Sequence, residues 1–358
     1  MLPKNYNIIN VNPSFTLNKC SPYLSQSLLN CYYQTKNQII EIFSSDPKFE
    51  NNSFDDAIKI INQYEFIFSK VTGFQMSVSK LKHKTNIFYD LLEIFNNLNI
   101  FEHFKHINNL KILHISPNYI DSVDCLKIFR EEQIEDEHIF YKNINDAYND
   151  LNKFNFIFFE TDNETYLTSV IESLLIILKN QADNGTAIIK ISNVFYKPVV
   201  DALYLLSSLY DKVYMCKPNT NNISSFDRYI VCSNLKINKQ PQPHLHLHLK
   251  FNYLKLLVFI KKLDNKNILE ILDFKIPYYF KNKIDDLNII LGQQQIDSLD
   301  YIVNLYKNKN KSNDDKIENI KKKNIEKSVS WCEKYKIPFN KFTENNNIFL
   351  PIDYKMIN

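Results

Sequence analysis

The central part of the chain alternates between strand-like and helix-like hydrophobic patterns, and this alternation limits the folds it can adopt. The apolar run FNFIFFE (Phe154–Glu160) is typical of a buried strand, and the stretch after it has apolar residues at helical spacing. A second strand pattern, TAIIKIS, begins after Asn184 and Gly185, and the helix pattern that follows has Pro198 near its first turn, where proline is tolerated. This order predicts a parallel sheet with right-handed crossovers.

Two further strand patterns, KVYMCK and DRYIVCSN, follow this unit and are separated by the polar loop PNTNNISSF. We expect them to pair as an antiparallel hairpin at the edge of the sheet. Upstream, LKILHIS (Leu110–Ser116) and HIFYK are shorter candidate strands. We therefore predict an α/β, Rossmann-like layer sandwich over residues 106–236. Helical patterns dominate on both sides, so mostly helical regions are expected over 1–105 and 237–358.

Glycine is scarce, with three residues (Gly73, Gly185 and Gly292) in a chain of 358. Loops that hold phosphate groups usually need glycine, because the backbone must approach the ligand closely or adopt positive φ. The sequence has neither a G-x-G-x-x-G motif nor a Walker A loop. A P-loop nucleotide hydrolase and a dinucleotide-binding protein of the common type are therefore excluded.

Net charge and cysteine content exclude fewer classes of function than the glycine content does. The net charge of +3 is too small to indicate a nucleic-acid partner by itself. The six cysteines form no C-x-x-C pair and no signal peptide pattern is seen, so we expect free thiols in a reducing compartment. No apolar run in the sequence reaches the roughly 18 residues of a membrane span, so we expect no membrane association.

Three polar residues at the ends of the central strands need an explanation. Glu160 closes FNFIFFE, Lys190 lies in AIIKIS, and Asp227 opens DRYIVCSN. Ligands of open α/β sheets bind at the carboxyl ends of the strands, where a lysine beside carboxylates can be positioned for proton transfer. Ion pairs that only stabilise the fold also perturb lysines, so the pattern alone favours a structural pair at the strand end.

The segment GTAIIKISNVFYKPVVDALYLLSSLYDKVYMCKPNTNNISSFDRYIVCSN (Gly185–Asn234) resembles the second half of the FtsJ-type RNA ribose 2′-O-methyltransferases, especially the forms found in large DNA viruses. In that family a glycine-containing turn leads into a strand that ends in a catalytic lysine. A KP pair and an acidic residue before RYIV follow it, and Lys190, Lys217-Pro218 and Asp227 match these motifs in order. The resemblance implies an S-adenosylmethionine methyltransferase sandwich with an antiparallel last strand. The tail NIEKSVSWCEKYKIPFN is also similar to the C-terminal region of some viral members.

The family surrounds the target 2′-hydroxyl with a Lys-Asp-Lys-Glu tetrad and transfers a methyl group from S-adenosylmethionine. By resemblance, Lys190 is the base, Glu160 stands at the aspartate position with Asp162 two residues further on, and Asp227 stands at the glutamate position. Each acidic exchange changes the side chain by one methylene, and a misplacement of about 1 Å can reduce a rate about 100-fold. The first lysine is expected in a helix before the first strand, but the matching TNIFYDLL has none. Three lysines lie just upstream of it: Lys80, Lys82 and Lys84.

The cofactor half departs further from the family. There, the first strand leads into a glycine-rich turn that receives the methionine end of the cofactor, whereas this chain has Ser116, Pro117, Asn118 and Tyr119. A tyrosine where bare backbone is needed would fill the pocket or force the ligand elsewhere. No clear acidic residue after a second strand is placed to hold the ribose, and few residues separate Pro117 from Glu160. The resemblance thus implies a cofactor site that has lost its usual features.

Three functions remain open. The favoured hypothesis is a non-catalytic subunit that keeps the fold to bind capped RNA or a partner in a viral capping or transcription complex, in the host cytoplasm or the virion. A catalytically silent member of this fold is the stimulatory partner in poxvirus-type cap methylation. The alternative is an active S-adenosylmethionine-dependent RNA 2′-O-methyltransferase with Lys190 as base; a virion structural or packaging protein is less favoured. The candidate phosphate contacts are Lys197, Lys217 and Arg228.

Features outside the central part have simpler interpretations. His244, His246 and His248 alternate with leucines, so on a strand they would share one face; a half-exposed strand is favoured over a zinc site, and we predict no metal. The segment KNKNKSNDDKIENIKKK has both charge signs and is expected to be a solvated linker rather than an RNA-binding tail. Trp331 is expected to anchor the last helix, with stacking on an RNA cap as the alternative.

Overall fold

The computed structural model describes residues 1–7, 9–45, 54–71, 76–83, 85–130, 135–142, 144–147, 150–236, 245–263, 266–307 and 312–340. The described β-strands are β1 (Ser14–Thr16), β2 (Lys111–Ile115), β3 (Glu137–Tyr141), β4 (Phe154–Glu160), β5 (Gln181–Ile191), β6 (Tyr210–Cys216), β7 (Arg228–Leu235) and β8 (Asn267–Glu270). The described α-helices are α1 (Gln26–Ser45), α2 (Phe54–Ile61), α3 (Ile87–Leu98), α4 (Tyr119–Arg130), α5 (Ile144–Ala147), α6 (Tyr166–Asn180), α7 (Lys197–Leu209), α8 (Leu245–Lys261), α9 (Tyr278–Lys307) and α10 (Ser312–Lys334).

Six strands form a central sheet in the order β3-β2-β4-β5-β7-β6. The pairs β2–β3, β2–β4 and β4–β5 are parallel, while β7 runs antiparallel to both β5 and β6. The molecule is therefore a mixed α/β structure with a mostly parallel sheet, which confirms the α/β expectation and the antiparallel last strand. The β6–β7 hairpin lies at the sheet edge as predicted, with β6 as the outer strand.

Helices cover both faces of this sheet. On one face, side chains of β2, β4 and β5 such as Ile157 and Ile189 pack with α6, α7 and the buried side of α8. On the other face, alternate residues of the same strands, including Phe158 and Ile188, pack with α3, α4 and the end of α10. Because successive strand residues point to opposite faces, this split follows from the continuous apolar strand sequences.

Helices from the flanking regions also take part in this packing. Helix α3 lies within the predicted region 1–105, and α10 within 237–358, yet both bury side chains against the sheet. A third apolar cluster joins α1, α2 and α9 beside the sheet. Gly292 lets α1 and α9 approach closely, since a Cβ atom there would lie 2.4 Å from a methyl carbon of Leu28.

The N-terminal segment is bound to the rest of the chain at two places. The amide of Leu2 donates to the carbonyl of Val213 on β6. Further along, β1 pairs with β8 in a separate two-stranded antiparallel sheet, with Phe15 opposite Ile268. These contacts connect parts of the sequence that lie more than 200 residues apart.

Two sequence expectations outside the sheet are wrong. The alternating stretch that was expected to be a strand belongs to α8, so His246 and His248 lie on a helix; His244 falls outside the described residues. Packing of Leu249, Leu256 and Phe259 against the core explains why the helix forms despite the alternation. The charged segment expected to be a linker is largely helical, because α10 begins at Ser312. No helix among the described residues is long and apolar enough to cross a membrane.

Candidate functional site

A row of polar side chains crosses four neighbouring strands where the parallel strands end. In the sheet register, Glu160 on β4 lies beside Lys190 on β5, and Lys190 lies beside Tyr229 on β7. Ser116, which directly follows β2, extends the row on the other side and hydrogen-bonds Glu160. Residues two positions earlier on β4 and β5, Phe158 and Ile188, are part of the apolar core on the same face. The row therefore lies where a ligand of an open α/β sheet is expected.

Lys190 and Glu160 form a close ion pair. The Lys190 ammonium donates to Glu160 Oε1 at 2.8 Å, and the Ser116 hydroxyl donates to Glu160 Oε2 at 2.6 Å. Burial alone would lower the pKa of Lys190, but the charge and hydrogen bond of Glu160, together with the charges of Asp227 and Asp90, raise that pKa above its ordinary value. Lys190 is thus an ammonium donor at neutral pH, and both carboxylate oxygens of Glu160 are engaged.

Asp90 is the member of this cluster that the sequence did not single out. It lies on α3, is fully buried, and its carboxylate accepts hydrogen bonds from Thr220 Oγ1 (2.5 Å), Asn221 Nδ2 (3.0 Å) and Tyr229 Oη (2.9 Å). Burial raises the pKa of Asp90 to about 6, against the effect of these donors and of the Lys190 charge. The helix in which the family resemblance places a lysine therefore contributes a carboxyl group.

A signal for Asp90 was present in the sequence. It is an acidic residue inside the apolar helix pattern IFYDLLEIF, and Glu93 three residues later lies on the same helix. Buried carboxyl groups need partners, so such residues indicate a polar contact under a helix. Of the upstream lysines, Lys80 and Lys82 are exposed before α3, and Lys84 falls outside the described residues.

Asp227 lies at the start of β7, next to the polar row. Burial raises the pKa of its carboxyl group, while the charges of Lys190 and Lys217 oppose this rise. The backbone amide of Asp227 donates to the hydroxyl of Ser225, which fixes the end of the β6–β7 loop. The structure thus brings Lys190, Glu160 and Asp227 to one region, with Asp90 behind them.

Lys217 holds the β6–β7 loop. Its ammonium donates to Asn221 Oδ1 at 2.7 Å and to three backbone carbonyl oxygens of the loop, those of Asn222, Ser225 and Asp227. Burial lowers the pKa of Lys217 to about 8. These four contacts occupy the ammonium group within the protein, so its evident role in this conformation is to shape the loop.

The other two candidate phosphate contacts are also engaged internally. The Lys197 ammonium contacts Asp201 and Glu270 at 3.0 and 3.1 Å and donates to the Leu272 carbonyl, which ties α7 to the segment after β8. Arg228 is 1% exposed and donates to Asn288 Oδ1 on α9 at 2.6 Å. Among the described residues, its Nε and Nη2 atoms find no hydrogen-bond partner.

A cavity of about 540 Å³ opens beside the polar row, at the ends of β2 and β4. Its lining includes Pro117, Glu160 and Lys142, and its volume is within the usual range for small-molecule sites. Further carboxylates on the lining come from the β4–α6 loop and from α6: Asp162, Glu164 and Glu172. The cavity is therefore predominantly acidic.

The four candidate cofactor residues are only partly directed to this cavity. Pro117 lines it, while the Ser116 hydroxyl is occupied by Glu160 and by the backbone amide of Asn118. Tyr119 stacks on Phe140 of β3, with ring centroids 4.2 Å apart and planes 4° apart. Tyr119 is not among the residues that line this cavity.

Two clusters elsewhere have structural explanations. Trp331 is buried, and its indole N–H donates to Glu93 on α3, which supports its role as an anchor of α10. His114 on β2 is buried and hydrogen-bonds both Ser122 and His138, and burial keeps the pKa of His114 well below its ordinary value. The described residues hold no group of His, Cys, Asp and Glu side chains that could bind a metal ion.

Comparison with known proteins identifies no family. No family model and no curated protein matches the chain. Among solved structures, the chain is similar to a putative hemolysin from Streptococcus thermophilus with a TM-score of 0.28 and 9% identity, over 51% of this chain and 79% of that chain.

Proposed function

We propose that the protein is a non-catalytic subunit of an RNA-capping or transcription assembly, built on an FtsJ-type methyltransferase scaffold of the kind found in large DNA viruses. The scaffold part of this proposal is supported by the motif order in Gly185–Asn234 and by the antiparallel strand inserted between β5 and β6. The proposal concerns a protein that acts through the contacts it makes rather than by transferring a methyl group.

The state of Lys190 carries this proposal. A base that removes a proton from a ribose hydroxyl must itself be unprotonated at the working pH. Here the 2.8 Å contact to Glu160 and the neighbouring carboxylates raise the pKa of Lys190. The cluster also has three carboxyl groups, of Asp90, Glu160 and Asp227, around this ammonium, where the family tetrad has two lysines and two acids.

The cavity does not fit S-adenosylmethionine in the manner of the family. Ser116-Pro117-Asn118-Tyr119 offers no glycine turn, and the serine hydroxyl and the Asn118 amide are already bonded to each other. The residue that follows β3 and lines the cavity is Lys142, an ammonium where a carboxylate would hold the ribose diol. These residues argue against methyl transfer from this cofactor in the cavity.

The residues predicted to contact phosphate are engaged inside the protein, which favours a protein partner over direct RNA binding. Lys217 and Lys197 are engaged in several internal contacts each, and Arg228 is buried. The charged side chains that line the cavity beside the polar row are mainly carboxylates, which would repel phosphate groups. Within the hypothesis of a silent subunit, these observations support binding to another protein of the assembly.

An active RNA 2′-O-methyltransferase is the second candidate. The observation that favours it is the 540 Å³ cavity directly beside Glu160, at the strand ends where this fold binds its ligands. In that case Lys190 would act as base only after Glu160 had released it, with Asp227 orienting it.

Calorimetry with S-adenosylmethionine and S-adenosylhomocysteine distinguishes the two candidates. For the silent subunit we expect no binding heat up to millimolar ligand, and no methyl transfer to capped RNA above the protein-free background. Lys190→Arg, which keeps the charge next to Glu160, serves as a control for folding and should behave as the wild type.

Saturable cofactor binding together with methyl transfer that Lys190→Ala abolishes would refute the proposal. Binding of capped RNA is measured in the same experiment as a function of salt. If the RNA affinity falls steeply as salt is raised, and Lys197→Ala and Lys217→Ala reduce this dependence, the protein acts by binding RNA rather than a protein partner.

A further inference from the structure

Helix α8 exposes a narrow apolar stripe that the fold leaves uncovered among the described residues. The stripe consists of Leu247, Phe251, Leu254 and Val258, which are 64%, 49%, 46% and 49% exposed. Their spacing of four, three and four residues places them on one line along the helix, within an arc of about 60°. Isolated exposed apolar residues are ordinary, but four in register on one helix indicate a contact surface.

The stripe is separate from the packing of the helix. The opposite side of α8 is buried through Leu249, Leu256 and Phe259, which contact the core around α6. Helix α8 therefore has a fixed position, and its outer side is presented by a rigid element. The four-three spacing is that of the a and d positions of a coiled coil, whose side chains insert between those of a second helix.

The charge around the stripe identifies the kind of helix that fits. Lys250 and Lys255 flank the stripe on its two sides, and Lys261 lies near its end; α8 contains no Asp or Glu. Lys255 is held in place, because its ammonium donates to the Val11 carbonyl at 3.0 Å and lies 4.6 Å from the centroid of the Phe251 ring. A partner helix with glutamate or aspartate beside its own apolar seam would pair with these lysines.

The same charges argue against two other occupants. In a symmetric pair of α8 helices, lysines would face lysines across the seam, and like charges there are destabilising. Helices that adsorb to membranes expose a broad apolar face, whereas this stripe is one residue wide with lysines on both sides.

We propose that the outer side of α8, along Leu247, Phe251, Leu254 and Val258, is a docking surface for an amphipathic helix with acidic flanks on a partner protein. This proposal specifies the kind of protein that the subunit proposed above would bind, and it rests on that proposed function. The surface lies on the α6 side of the sheet, whereas the polar row lies on the α3 side. The two can therefore be tested separately.

The probe is a synthetic helix of three heptads with leucine at a and d and glutamate at e and g, and the matched control has lysine at e and g. Binding to the full chain is measured by fluorescence anisotropy. We expect the glutamate helix to bind at least about tenfold more tightly than the lysine helix, with an affinity that falls as salt is raised. Leu254→Asp should weaken its binding by about tenfold or more.

Ile128→Asp is the control substitution, because Ile128 is 52% exposed on α4, which packs on the other face of the sheet. It should leave binding unchanged, and thermal unfolding should show both variants folded. If Leu254→Asp fails to fold, Phe251→Ala provides the same test with a milder change.

Equal binding of both helices, or no binding of either, would overturn the proposal. It would also be overturned by dimerisation of the wild type that Leu254→Asp removes, by Leu254-dependent binding to vesicles with phosphatidylserine, or by tighter helix binding after deletion of residues 341–358. These results would identify a second copy, a lipid surface or the chain's own tail as the occupant. Cofactor binding and methyl transfer would refute the silent-subunit function and leave the helix-binding result untouched.

Discussion

The two halves of the central sheet use their buried polar residues differently. In the β2–β3 half (strands β2 and β3 with helix α4), two buried polar pairs form within the half itself: Arg130 pairs with Asp136, and His114 with His138. In the β4–β7 half (strands β4 to β7), polar groups from separate elements converge on one place, around Lys190.

This difference shows which half has the arrangement expected of a ligand site. Local pairs stabilise strands and loops, and they need no ligand to be satisfied. Convergence of charges from several elements imposes a desolvation cost, and function is a common reason why such clusters persist. The β2–β3 half is thus organised by packing and local polar pairs, whereas the β4–β7 half brings charged groups from several elements to one place.

The largest effect is expected from Arg130→Met in the β2–β3 half. Arg130 makes two hydrogen bonds to Asp136, at 2.8 and 3.0 Å, and both side chains are about 95% buried. Removal leaves a buried carboxylate without its counter-charge, so we expect the free energy of unfolding in urea to fall by about 3–5 kcal/mol. Lys105→Met, which removes the exposed pair with Glu102, is the control and should have little effect. A loss as small as that of the control would show that the pair does not hold this half together.

A smaller effect is expected from Lys190→Met in the β4–β7 half. Glu160 keeps its hydrogen bond from Ser116 and is partly exposed to the cavity, so the loss should be about 2 kcal/mol in the same urea experiment. Combining it with Glu160→Gln should restore much of that stability, since the carboxylate that loses its ion-pair partner is then neutral. A double variant no more stable than Lys190→Met would contradict a structural ion pair at this position.

The contributions of the two halves to the free energy of unfolding should change with pH in opposite directions. The pKa of His114 is lowered by burial, so its contribution to stability is present above about pH 6.5 and is lost as the pH falls below that value. The pKa of Asp90 is raised to about 6, so its contribution is present below about pH 4 and is lost as the pH rises through 6. Each unit of pKa difference corresponds to about 1.4 kcal/mol.

Urea unfolding at several pH values separates these contributions. His114→Gln should lose less stability than the wild type between about pH 7 and pH 5. Asp90→Asn should show a steeper rise of stability with pH between about 4 and 6, because the opposing contribution is gone. The Thr220 hydroxyl can reverse its hydrogen bond to accept from the new amide, so this variant should fold. Unchanged pH profiles in both variants would contradict the assignment.

The smallest effect is expected from Tyr119→Ala. The ring of Tyr119 stacks on Phe140, which is itself half exposed, so thermal unfolding should show a loss of about 1 kcal/mol. Phe140→Ala is the matched variant and should give a similar value without additivity in the double variant. Additive losses would mean that the two rings contribute independently and that the stack does not order this half.

The sequence was sufficient to place the strands of the central sheet. FNFIFFE corresponds to β4 residue for residue, and LKILHIS contains β2. Because parallel strands end at the same edge, the position of Glu160 and Lys190 in their strands was enough to expect them close together. The interpretation of Lys190 as half of a structural ion pair agrees with the 2.8 Å contact to Glu160.

Other parts depended on contacts that no local pattern contains. Asp90 reaches the row only because α3 packs on the sheet, and its partners Thr220 and Asn221 lie some 130 residues away. The alternation of leucines before Lys250 has the period of a strand, which would place all of these leucines on one buried face. The segment is helical instead, because packing of the helix buries Leu249 and leaves Leu247 exposed.

The small sheet of β1 and β8 has a consequence for the order of events during synthesis. Phe15 pairs with Ile268, so β1 has to wait for roughly 250 further residues before its partner strand exists. At translation rates of about 5–20 residues per second, that interval lasts about 12–50 seconds. All six strands of the central sheet are synthesised within this interval, so the pairing of β1 with β8 is a later event than the synthesis of the sheet.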